Sequence, residues 1–76
     1  MNSNKCILKE VTGEVTSFLN DGWIYSGKVQ EHNSWRAFLR HSNGSRMQVL
    51  FSLCSYAIII NGKVVKDVKQ TEVRES

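Results

Sequence analysis

From Trp23 onward, apolar and polar residues alternate in short runs broken by small polar turns, the pattern of an antiparallel β meander. Two Asn-Gly pairs, Asn43-Gly44 and Asn61-Gly62, are the clearest punctuation, each flanked by strand-like sequence. Asn-Gly supplies the positive φ angles of a type I′ turn, whose twist suits a two-residue hairpin. A third turn, Asn20-Asp21-Gly22, divides residues 15–19 from 23–29. A fourth, His32-Asn33-Ser34, divides that strand from residues 35–41. Residues 63–68 read as a further strand, and about 69–76 as a polar tail of one small domain.

A two-residue turn at Asn43-Gly44 would set Ser42 opposite Ser45 and continue Arg40 with Met47, Phe38 with Val49, and Arg36 with Phe51. The other face then holds Trp35, Ala37, Leu39 and His41 with Arg46, Gln48 and Leu50. Each face is half apolar in this register, which predicts a core on one side and a neighbouring subunit or ligand on the other. Gly22 precedes and Gly27 interrupts the strand that starts at Trp23, and glycine at such positions signals a bend or a close backbone approach. A sharply bent strand suits a very small barrel.

The N-terminal third carries two patterns. Ile7, Leu8, Val11, Val15, Phe18 and Leu19 fit a helical stripe, with Ser3 or Asn4 as its cap. Gly13 and the β-branched Val11, Thr12, Val15 and Thr16 favour a strand. Weighing both gives a short helix over residues 4–10 and a strand over 14–19. The expected fold is mostly β: a short N-terminal helix, then a five-stranded bent antiparallel sheet or a small barrel.

Composition narrows the function classes. A chain of 76 residues buries only about 60% of the surface its unfolded form exposes, so self-association is an expected source of added stability. Ten Lys and Arg against seven Asp and Glu give a formal charge of +3, a mild bias towards acidic partners such as nucleic acid. Cys6 and Cys54 lie far apart outside any C-x-x-C pair, which predicts two buried thiols rather than a disulfide or zinc scaffold. The start of the chain lacks an apolar leader segment and the longest apolar run is residues 57–60, so a cytoplasmic protein without a membrane segment is expected. No phosphate-binding glycine loop or activated nucleophile is present, and neither an enzyme nor a cofactor is expected. His32 and His41 lack partners at ligand or catalytic spacing and read as turn and surface residues.

Gly22, Gly27, Val29, Asn33 and Trp35 stand at the spacings of the first Sm motif, and the chain resembles the Sm-like fold, particularly its bacterial RNA-chaperone branch, Hfq. The similarity covers roughly residues 13–59, with 14–19 in the place of that family's first strand and 48–51 and 56–59 in those of its last two. It implies a cytoplasmic RNA-binding regulator that assembles as a homo-oligomer, in that family a ring. Trp35 occupies the position where the family stacks a base, and Gly22, Trp23, Ile24 and Tyr25 a segment it uses on the opposite ring face. Departures are specific: Ser52-Leu53 stands where the family has a Lys-His pair near its uridine pore, Asn33 replaces an acid, and the helix lacks an arginine patch.

Exposed aromatics with nearby cations suit single-stranded RNA, and Arg36, Arg40, Arg46 and Lys28 are the candidate phosphate contacts. Trp23 and Trp35 suit a core or subunit interface better than base stacking, whereas Arg36 and Arg40 suit a solvated strand and phosphate binding equally. The other function class is a small protein-interaction module, of the phage or mobile-element regulator type, that recognises a protein and no nucleic acid.

Overall fold

The computed structural model describes residues 7–69. Helix α1 (Ile7–Asn20) is followed by β1 (Trp23–Gln30), β2 (Trp35–His41), β3 (Arg46–Phe51), β4 (Ser55–Ile60) and β5 (Lys63–Lys69). The strands form one antiparallel sheet in simple sequence order, β1-β2-β3-β4-β5, so the bent-sheet alternative is the fold and the barrel does not close. Among the described residues no helix is long and apolar enough to cross a membrane.

The strand expected at residues 14–19 is instead the second half of α1, so the helix runs well past the expected end at residue 10. Tertiary burial decides the contest. Ile7, Val11, Val15 and Phe18 recur at helical spacing and pack on the sheet, which outweighs the low helix propensity of Gly13 and the β-branched residues. Thr12 fits the helix by donating its hydroxyl to the Leu8 carbonyl at 2.8 Å. The segment that the Sm resemblance assigns to a first strand is therefore helical, and Gly27 lies in the first strand of this sheet rather than the second.

Only one of the two Asn-Gly turns is the predicted type. Asn61 and Gly62 both have positive φ (51° and 84°), and Ile60 pairs with Lys63 across a two-residue turn. At Asn43-Gly44 only Gly44 is positive (94°), while the His41 N–H donates to Ser45 and the Gly44 N–H to His41, so three residues close the hairpin. The register accordingly moves by one: Leu39 pairs with Met47, Ala37 with Val49 and Trp35 with Phe51. A shift of one residue exchanges the faces of a strand, so the half-apolar faces expected from the two-residue turn sort into an apolar face and a mixed one.

The apolar face lies under α1. Ala37, Leu39, Met47, Val49, Tyr56 and Ile58 are buried there with Ile7 and Val11 of the helix. A polar latch fixes one flank of α1 to β4 and β5: the Tyr56 hydroxyl lies 3.2 Å from Glu10 Oε2 and 3.3 Å from Glu14 Oε2, and Lys66 pairs with Glu14. Burial, then the hydrogen bond to Glu10, raises the Tyr56 pKa above the ordinary phenol value, and the bond to Glu14 raises that of Lys66. The other flank, towards β1, is a groove of about 350 Å³ lined by Leu8, Val15, Tyr25 and Lys28 among others.

Candidate nucleic-acid interface

Strand register defines the face turned away from α1. One row across the sheet reads Val29, Arg36, Leu50, Ala57 and Asp67; the next reads Gly27, Phe38, Gln48, Ile59 and Val64; the last holds Ile24, Arg40 and Arg46. Three of the predicted phosphate contacts thus share one open face, because Arg36 and Arg40 alternate along β2 and the three-residue turn brings Arg46 opposite Arg40.

The three arginines differ in how they are held. Arg36 is fixed at both ends of its guanidinium, with Nε donating to Glu31 Oε2 at 3.1 Å and Nη1 to Gln48 Oε1 at 2.9 Å. Arg40 and Arg46 are exposed and face each other across adjacent strands, and among the described residues neither forms an ion pair. Like charges directly opposite oppose sheet formation, so this pair gains from an anion placed between its heads. Phe38, half-buried, lies between Arg36 and Arg40 along β2. A hollow of about 340 Å³ passes beside it, lined by Ser26, Arg40, Arg46 and Gln48.

The other predicted site residues lie elsewhere. Gly22 closes the turn after α1, with φ of 103°. Trp23 packs edge-on against Phe18 and against His41, with centroids 6.3 Å and 5.1 Å apart, so it borders the core. His41 is accordingly a packing residue as well as a turn residue, its Nδ1 accepting from the Asn43 N–H at 3.2 Å. Ile24 joins the open face, whereas Tyr25 and Lys28 turn to the helix side and line the groove beside α1, which separates Lys28 from the three arginines. Trp35 also faces the helix side and stacks on Phe51, centroids 5.5 Å apart and planes 19° from parallel. With Asn33 it lines a hollow of about 410 Å³ at the end of the sheet, together with His32, Leu53 and Cys54.

The Cys54 thiol is exposed in the β3–β4 turn, contrary to the expected burial. That turn is closed by Ser52, whose N–H donates to the Ser55 carbonyl and whose hydroxyl accepts from the Cys54 N–H at 3.3 Å, which leaves the thiol outside the core. Cys6 lies outside the described residues. Phe38 and Gln48 were not among the predicted site residues, although the alternation Arg36-x-Phe38-x-Arg40 places an aromatic between two cations on one face. No protein-family model matches this chain, and no curated protein and no solved structure matches it either.

Proposed function

We propose that the chain binds single-stranded nucleic acid, RNA in the first instance, along the open face of its sheet. The observation that carries this reading is that Arg40 and Arg46, which form no ion pair among the described residues, face each other beside Phe38. Two facing guanidinium groups suit a phosphate, and a neighbouring aromatic offers a stacking surface that every base can use. Arg36, oriented by Glu31 and Gln48, supplies a third cation on the same face. In this proposal Trp23 and Trp35 act in packing, Tyr25 lies off the binding face beside α1, and uridine is not preferred. The role as a cytoplasmic Sm-like regulator belongs to the same proposal, which rests on the sheet face and requires no closed barrel.

The test is binding of a labelled unstructured RNA, with a DNA oligomer of matching sequence, across a salt series. Phosphate contacts make log affinity fall linearly with log salt, by about 0.7 per contact for single strands. Changing Arg40 and Arg46 together to Ala should flatten that slope by roughly one to two contacts, and Phe38→Ala should cost about 1–3 kcal/mol of binding if it stacks a base. No binding at low salt, or loss with Trp35→Ala but not with the arginine variants, would defeat the assignment.

A protein partner is the second reading, favoured by Leu50, Ile59 and Val64 on the same face, apolar surface that phosphate recognition leaves unused. Its affinity would depend weakly on salt.

A further inference from the structure

We propose that two copies of this chain join edge to edge through β1, antiparallel about a two-fold axis, making one sheet with five strands from each copy. This inference goes beyond nucleic-acid binding and does not depend on it. The meander leaves β1 and β5 at the two edges of the sheet, and the two edges differ in chemistry. β5 carries Lys63, Lys66 and Lys69 and an irregular register opposite Ile58 and Ile59, so its exposed Val64 and Val65 sit between lysines. Lysines and bulges are the common guards of a free edge. β1 has one lysine, Lys28, and shows Ile24 (44% exposed), Tyr25 (48%) and Val29 (48%) to solvent.

β1 is also complementary to itself. An axis normal to the sheet and passing between the Ser26–Gly27 steps of the two copies sets Ile24 opposite the second copy's Val29, Tyr25 opposite its Lys28, and Trp23 opposite its Gln30. Facing residues must lie on the same side of a sheet, and here they do: Ile24 and Val29 pair with Arg40 and Arg36 on the open face, while Trp23, Tyr25, Lys28 and Gln30 pair with His41, Leu39, Ala37 and Trp35 on the helix face. An unbroken strand would put Tyr25 and Lys28 on opposite faces, since they are an odd number of positions apart. The bulge between Tyr25 and Gly27 adds the residue that brings them to one face. It thereby gives the edge the symmetry of an isologous contact, with an aliphatic pair on one side and a cation beside an aromatic on the other. Pairing β5 with β5 would instead oppose two lysine-rich edges, and pairing β1 with β5 would build rings or filaments.

Native mass spectrometry and sedimentation of the full chain over a concentration series test the proposal. A dimer is expected. Val29→Lys and Ile24→Lys should each weaken it by at least about tenfold, because a symmetric contact contains every substitution twice. Val64→Lys on the other edge should leave it unchanged. In a Cys6→Ser, Cys54→Ser background, the pair Ile24→Cys with Val29→Cys should oxidise to a covalent dimer, while Val64→Cys should not. That second arm decides the matter if a lysine variant fails to fold. A monomer at all concentrations, an assembly larger than two, or a dimer broken by Val64→Lys but not by Val29→Lys would overturn the proposal.

Discussion

Gly13 and Gly22 are chemically identical and should respond to alanine with opposite signs. Gly13 lies inside α1, and a Cβ built on it meets nothing within 4 Å. Alanine there restricts the unfolded chain and favours helix, so Gly13→Ala should stabilise by about 0.4–1 kcal/mol. Gly22 has φ of 103°, and its Cβ would stand 3.0 Å from His41 Nε2, the imidazole that packs against Trp23. Gly22→Ala should cost about 1–3 kcal/mol. Thermal melts separate the two, since 1 kcal/mol moves the midpoint by about 4–8 °C in a domain of this size. Residue identity alone marked both glycines as unusual, but the sign of each effect needs backbone angles and neighbours that appear only once the chain is folded.

At the scale of elements, α1 is held by an apolar stripe and by one polar latch. Folding raises the pKa of both Tyr56 and Lys66, by burial and the bond to Glu10 for the first and by the bond to Glu14 for the second. Both groups then hold protons more tightly folded than unfolded, so their contribution is complete below the unfolded values. It is lost as pH rises from about 10 through the folded values. Denaturant melts of the native chain should therefore show stability falling in that alkaline window, with a shallower fall for Tyr56→Phe. At neutral pH Tyr56→Phe should cost about 1.5–3 kcal/mol, the range for a hydrogen bond to a charged group. The latch is not legible in the sequence, because the β-branched pattern puts Glu14 in a strand and its partners Tyr56 and Lys66 lie far along the chain. The strands were legible wherever alternation met a turn signal, and residues 35–41 form β2 as expected. What failed was the register across Asn43-Gly44, since the same dipeptide serves two-residue and three-residue turns. The apolar residues under α1 favour the longer one, which places Met47 and Val49 beside Leu39 and Ala37.

For the whole molecule, one thin layer of buried side chains between a helix and a sheet leaves a small margin. Stabilities near 0.05–0.15 kcal/mol per residue are usual, and Leu39→Ala, which empties a fully buried site, should cost about 2–5 kcal/mol, enough to leave a substantial unfolded population at physiological temperature. Circular dichroism melts measure it directly. The sequential order of the strands has a kinetic consequence. Each strand pairs with the one just made, so each step closes only a short loop and low loop entropy accompanies every addition. The chain also contains no proline, which removes the isomerisation that delays many proteins by tens of seconds. Stopped-flow refolding should therefore be a single fast exponential without a slow phase, so the sheet is complete long before a dilute chain meets a second copy.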